Sequence, residues 1–311
     1  MATVFIDGAA GTTGLRIRQR LGGRKDLTLI ELDEERRKDP GARADALNRA
    51  DCAILCLPDA AAEEAVSLID PANDRTAVID TSTAHRTAPG WVYGFPELTG
   101  QRENILRSKR IANPGCHASG FIALIAPLRE AGILSEDAAL SAFSLTGYSG
   151  GGKKMIAEYE SPAPSPLLSA PRMYGLGQNH KHLPEMAAVA GLSVPPVFCP
   201  IVAPYYTGME VTVPLFAPPV GGSPGQIAEI YRAYYGKSPG AVRFSDSADE
   251  DGFLSASAFA GRDDMEIAVF GNDDRILLTA RFDNLGKGAS GAAVQNLNLL
   301  LGADEFAGLV L

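Results

Sequence analysis

Basic residues are in the minority in this chain, cysteine is scarce, and no apolar stretch is long. Each shortage removes a class of function. Lysine and arginine number 28 against 37 acidic residues, a formal net charge of −9, and no run of basic residues forms a stripe. Nucleic acid and anionic membrane surfaces are therefore not expected as partners. An anionic ligand would need a local cluster of donors, because the overall field repels it. Four cysteines in 311 residues cannot form a disulfide framework. The opening MATVFIDGAAG has neither a basic segment nor an apolar stretch long enough for a leader or a span. These features predict a reducing, cytoplasmic setting.

Glycine and proline, by contrast, are abundant, and they are spread between apolar runs as turns joining short elements. The length favours two domains. TVFID at residues 3–7 reads as a strand that ends in a glycine cluster, and Leu15, Ile17 and Leu21 follow at helical spacing. LTLIEL at 27–32, CAILCL at 52–57 and TAVID at 76–80 repeat the strand signal, with an alanine-rich helical stretch after Pro58. This alternation predicts a doubly wound, Rossmann-type parallel sheet, an α/β fold. After Asn113-Pro114-Gly115-Cys116 the pattern changes. The runs ALSAFSLT, VFCPIVA, MEVTVPLF, MEIAVFG and RILLTARF are longer and alternate, as in a largely antiparallel sheet. The expected division is a dinucleotide-binding domain over 1–115, an α+β substrate and oligomerisation domain over 116–287, and a C-terminal helix within 288–311 that packs back on the first domain.

Gly8, Gly11 and Gly14 follow the first strand and open a helix at Thr12 and Thr13, where a pyrophosphate could approach helical N–H donors. The ribose end is open: Glu31 and Asp33 would accept from a 2′-hydroxyl, whereas Arg36 and Arg37 would hold a 2′-phosphate. Pro58 and Ser82 end predicted strands, where ligands bind in open α/β sheets. Cys116 begins an apolar helical run, and a helix N-terminus favours the thiolate a nucleophile needs. Cys52, Cys56 and Cys199 lie in predicted strands and read as core residues. Of the four histidines, His180 and His182 fall together ahead of Glu185, suited to relaying protons to the thiolate with Glu185 fixing a tautomer. A metal would need further ligands at suitable spacing, and none is expected. His117 is read as solvating or packing on the far side of its helix turn, and His85 carries no assignment.

Together, GAAGTTG, DTSTAHR (80–86), YGFPEL (93–98), NPGCHASGF (113–121), TGYSGGGK (146–153), HKHLPEM (180–186) and DNLGKGASGAAVQNLN (283–298) resemble the N-acetyl-γ-glutamyl-phosphate reductase family in its shorter subclass. Aspartate-semialdehyde dehydrogenase belongs to the same superfamily. The resemblance implies a cysteine nucleophile, a thioester, reduction by NADPH and a closed site between the domains that keeps water from the thioester. Cys116 matches the nucleophile, with His182 favoured over His180 as proton donor. Arg86 and Asn113 match phosphate-binding positions, with Tyr148 and Glu185 placed beside the substrate. Ser149, Gly150 and Gly151 would line the nicotinamide, Asn284 and Gly286 would close over the cofactor, and NADP(H) tips the ribose end to Arg36 and Arg37. A homo-oligomer, dimer or tetramer, is implied. Three other readings remain: an aspartate-semialdehyde dehydrogenase, a Cys/His acyltransferase or hydrolase, and a nonenzymatic dinucleotide sensor.

Overall fold

Alternate residues of the first strands point to opposite faces of a sheet and both sets are apolar, so these strands need cover on two sides. The computed structural model, which describes residues 1–217, 221–237 and 240–311, supplies it. The chain divides into two units, Met1–Pro114 with Ala289–Leu309 and Gly115–Gly288 with Val310–Leu311. In the first unit six parallel strands, β1 (Ala2–Asp7), β2 (Leu27–Ile30), β3 (Cys52–Leu55), β4 (Ala77–Asp80), β5 (Val92–Tyr93) and β6 (Arg110–Ala112), run in the order β2-β1-β3-β4-β6-β5. Val4, Ile6, Ile54 and Ile79 pack with Ile17 and Leu21 of α1 (Thr12–Leu21) and Leu297 of the C-terminal helix Gly291–Leu300. Phe5, Ala53, Leu55 and Val78 face the other way, toward Leu47 of α2 (Pro40–Arg49) and Ala62 and Ala65 of α3 (Asp59–Ser67). A short α4 (Gln101–Arg107) precedes β6. Because β2 and β3 lie on opposite sides of β1, the connections leave in opposite directions there and open a crevice at the strand ends.

The second unit holds a seven-stranded sheet, in the order β11-β12-β13-β10-β7-β9-β8. The strands are β7 (Ser141–Gly147), β8 (Arg172–Met173), β9 (Val197–Ala203), β10 (Met209–Phe216), β11 (Val242–Phe244), β12 (Met265–Gly271) and β13 (Arg275–Phe282). Among the described residues, β11 with β12 and β7 with β9 pair in parallel, and the remaining pairs are antiparallel. Its inner face carries Ala142, Val211, Val213, Leu278 and Phe282, all buried. Across it lies α5 (Cys116–Glu130), so apolar that almost every residue is buried. The sheet's five long strands match the alternating runs in the sequence. The short β8 and β11 do not appear there, since two or three residues carry no readable period. Helices α6 (Gly152–Tyr159) and α7 (Leu183–Ala190), also unexpected, precede α8 (Pro224–Tyr235). Among the described residues no helix is long and apolar enough to cross a membrane.

Candidate active site

In the first unit the turn after β1 is fixed by glycine. Gly8 has φ +85°, and a Cβ there would lie 2.3 Å from the Cys56 carbonyl oxygen; one on Gly14 would lie 2.6 Å from the Gly8 oxygen. Neither position admits a side chain. The Gly11 N–H closes the turn on the Gly8 carbonyl at 3.0 Å. No side chain caps α1, so the N–H groups of Thr12 and Thr13 head the helix as donors for an anion. A cavity of about 570 Å³ adjoins the turn, and Gly8, Glu31, Arg37, Lys38 and Arg43 are among its lining residues. Of the residues left open at the ribose end, Glu31 and Arg37 line it. Asp33 accepts the Arg36 N–H at 2.8 Å, and neither of those two is in the lining. Lys38, which the sequence reading passed over, is. Glu31 is held by Arg18 at 2.8 Å, and Arg37 pairs with Glu34. At the cavity floor the buried Arg43 and Asp7 pair at 3.0 Å, and burial pushes the Asp7 carboxyl up although Arg43 pulls it down.

Farther along the same sheet, buried Asp80 at the end of β4 accepts from the Ser82 N–H (2.9 Å) and the Ser82 hydroxyl (2.7 Å), and His85 Nδ1 lies 2.6 Å from it. The His85 ring stacks on Trp91 at 4.0 Å. This gives His85 a place in the loop that carries Arg86. The Arg86 guanidinium donates through Nε to the Asn113 carbonyl (3.1 Å) and through Nη2 to the Thr81 carbonyl (3.2 Å). Asn113 Nδ2 donates to the Ala289 carbonyl at 3.0 Å, and its Oδ1 lies 3.4 Å from Asn296 Nδ2. Its amide therefore ties the end of β6 to the start of the C-terminal segment. Pro58 sits at the N-cap of α3, just after β3.

In the second unit Cys116 is the first residue of α5, after a Gly115 N-cap with no side-chain cap. Glu185 in α7 is 1% exposed and one of its oxygens accepts the Gly115 N–H at 3.1 Å, bracing the turn beneath the cysteine. Its other oxygen is 3.9 Å from His182 Nε2, too long for a hydrogen bond. The His182 N–H donates to His180 Nδ1 at 3.2 Å, so a neutral His180 carries its proton on Nε2. The His180 and His182 rings meet at 4.8 Å. His117 departs from the sequence reading. It is buried inside this group, with its ring 5.6 Å from His180 and 5.5 Å from His182. Its nitrogens meet Ser144 Oγ and Tyr174 Oη, each at 2.7 Å. Burial above all, with the Lys181 charge, pushes the His117 pKa down to about 3. Ser144 and Tyr174 were not found from sequence, and one signal was available: a serine on the inward register of an apolar strand.

The remaining residues expected around the cofactor and substrate hold loops together. The Asn284 side-chain Oδ1 accepts from Thr207 Oγ1 (2.9 Å) and the Gly208 N–H (3.0 Å), while its Nδ2 donates to Ser149 Oγ at 3.0 Å. The Gly286 N–H donates to Asp283 Oδ1 at 3.1 Å. Ser149 through Gly151 lie in a single 3-10 turn after β7. Tyr148 stacks on Tyr159 at 4.6 Å and donates to Glu160 at 3.3 Å. Among the described residues no cluster of three or more His, Cys, Asp or Glu could hold a metal ion.

Two family descriptions match the chain: the semialdehyde dehydrogenase NAD binding domain over residues 3–107 and the semialdehyde dehydrogenase dimerisation domain over 116–284. N-acetyl-γ-glutamyl-phosphate reductases of Brucella suis and Brucella anthropi are each 47% identical to it over 307 residues, covering 96% of this chain and 98% of theirs. Among solved structures, aspartate semialdehyde dehydrogenase II of Vibrio cholerae has a TM-score of 0.70 at 16% identity, covering 97% of this chain and 99% of that one. Aspartate semialdehyde dehydrogenase of Francisella tularensis has 0.71 at 16% identity, covering 97% and 100%. At that identity the solved structures share the fold alone.

Proposed function

The chain belongs to the N-acetyl-γ-glutamyl-phosphate reductase family, and from that premise we infer that it reduces N-acetyl-γ-glutamyl phosphate to N-acetylglutamate 5-semialdehyde, with release of phosphate, as a step of arginine biosynthesis. The observation that carries this reading is Cys116 at the head of a buried helix, in the same unit as the packed imidazoles of His180 and His182. The Cys116 thiolate, favoured at the positive end of α5, attacks the acyl carbon and expels phosphate. The resulting thioester accepts hydride where a carboxylate does not, so one hard reduction becomes two easier steps. His182 protonates the alkoxide of the resulting thiohemiacetal and takes the proton back as the C–S bond breaks, releasing the semialdehyde and the Cys116 thiolate, and His180, whose Nδ1 is occupied, keeps the neighbouring backbone in place. Arg86 supplies charge-assisted donors for the phosphate that a chain of net charge −9 otherwise lacks. The Asn113 amide serves the same end by fixing the strand from which its carbonyl holds Arg86.

The glycine turn, which leaves no room for a Cβ, and the uncapped start of α1 fit a dinucleotide pyrophosphate. The cofactor assigned is NADP(H), with Arg37 and Lys38 at the 2′-phosphate, since both line the cavity that Gly8 adjoins. When bound it supplies the hydride. The enzyme is assigned as a cytoplasmic homo-oligomer. On the face of the seven-stranded sheet opposite α5, Phe143, Val197, Phe216 and Leu277 are each at least 40% exposed, an apolar surface suited to a second copy. One assay tests the activity. With N-acetylglutamate semialdehyde, phosphate and NADP, absorbance of the reduced cofactor should rise; a rise with aspartate semialdehyde instead would assign the substrate of the related dehydrogenase, and none with either would remove the reading.

A further inference from the structure

The direction of the hydrogen bonds around His117 follows from how many donors each group has. His117 is 2% exposed and stays neutral, so one ring nitrogen donates and the other accepts. Ser144 on β7 is fully buried. Among the described residues, the only partner recorded for its hydroxyl is His117 Nδ1, at 2.7 Å. If Nδ1 carried the proton, the serine hydroxyl would accept it and leave its own proton buried without an acceptor, which native interiors avoid. The serine therefore donates to Nδ1, the imidazole proton sits on Nε2, and Nε2 donates to the Tyr174 oxygen at 2.7 Å. The phenol's own proton is then left for another acceptor. Tyr174 lies near the head of α5: it meets His117, the residue after Cys116, and its ring is 5.8 Å from that of His180. Burial, then the Cys116 charge, push the phenol up, so it keeps its proton and acts as a fixed donor.

We propose that Ser144, His117 and Tyr174 form a hydrogen-bond chain of fixed direction that presents the Tyr174 phenol proton to the carbonyl oxygen of the acyl group on Cys116. Tyr174 is the catalytic member, and Ser144 and His117 are positioning residues. The proposal rests on the thioester reaction inferred above, but its first test does not. Nitrogen-15 NMR of the enzyme without substrate should show a neutral His117 protonated on Nε2, and protonation on Nδ1 would overturn the chain whatever reaction the enzyme performs. In the assay, Tyr174→Phe should lower kcat about ten- to a hundred-fold with the KM for NADP unchanged. Ser144→Ala removes the donor that sets the direction and lets the phenol turn its proton toward Nε2, so kcat should fall although this residue touches no substrate. Because it acts through Tyr174, the double variant should be no slower than Tyr174→Phe alone. Additive losses, or a Tyr174→Phe enzyme within twofold of the parent, would sink the proposal. Should Ser144→Ala fail to fold, the tautomer and Tyr174→Phe results still decide it.

Discussion

The side chains around Arg86 and those around Cys116 are held differently. In the first unit, around Arg86, they mostly meet the backbone: Arg86 spans two carbonyls, and Asn113 reaches a third. Asp80 takes a backbone N–H together with a hydroxyl. In the second, around Cys116, side chains meet side chains: Ser144, His117 and Tyr174 form one series, and His180 packs edge-on against His182. A backbone-braced site can hold a ligand of fixed shape, since its donors move only if the fold moves. A side-chain network can be polarised and reprotonated, which covalent chemistry requires. Binding and reaction should therefore be separable by mutation, with losses in the first unit appearing in affinity or stability and losses in the second in turnover.

The largest expected effect tests the second unit. Cys116→Ala should lower kcat by on the order of 10⁴-fold or more while NADP binding and the melting temperature hold. Iodoacetamide should label Cys116 well before Cys52 and Cys56, because burial pushes both of those thiols up to about 12 and keeps them protonated. Substantial turnover in Cys116→Ala would erase the division of labour along with the covalent route.

Arg86 comes next, and it tests whether bracing and binding are one function. Arg86→Ala should raise the KM for phosphate in the reverse reaction by roughly thirty- to a thousand-fold, on the order of 2–4 kcal/mol. It should also lower the melting temperature, because the carbonyls of Thr81 and Asn113 lose their donors. Arg86→Lys keeps a charge but cannot span two carbonyls, so part of the phosphate affinity should return and little of the stability. If the KM for phosphate and kcat both stay unchanged in Arg86→Ala, the arginine is a brace alone and backbone donors hold the anion.

The same contrast explains what could be read from sequence. Gly8, Gly11 and Gly14 and the long strands announce themselves because their causes are local: a turn, a period, a helix start. Cys116 was legible for the same reason, standing between an Asn-Pro-Gly turn and an apolar helix. The network beside it was not. Its partners lie 27 and 57 residues from His117, and no local pattern tells a serine in a strand that a histidine will face it. Asn284 shows the converse: the resemblance implies a place over the cofactor, and the loop contacts of its amide carry no local sequence signal. In DEERRKD, composition supplied the cations proposed for the ribose end without saying which of three neighbours faces the cavity.

That choice among neighbours predicts a smaller effect. Arg37→Ala with Lys38→Ala should raise the KM for NADP about ten-fold or more while changing that for NAD little, whereas Arg36→Ala should leave the ratio near its starting value. Loss of NADP preference on removing Arg36 alone would show that the cavity lining does not mark the 2′-phosphate.

The smallest effect lies at an exposed pair that borders the cavity. Arg18 and Glu31 are each about half exposed, with the arginine Nε 2.8 Å from the carboxylate. An exposed pair of this kind contributes only about 0–1 kcal/mol to stability, so Arg18→Ala should scarcely shift the melting temperature. Its consequence is for recognition. Glu31 follows β2, where a carboxylate in this fold accepts from a 2′-hydroxyl, and Arg18 engages both of its oxygens. Released from that pair, Glu31 would attract the unphosphorylated ribose and repel the 2′-phosphate, moving kcat/KM a few-fold toward NAD and away from NADP. The shift should shrink as salt is raised, since both charges face solvent. An unchanged cofactor ratio with unchanged stability would show that Glu31 does not read the ribose even when released, and that selectivity rests on Arg37 and Lys38.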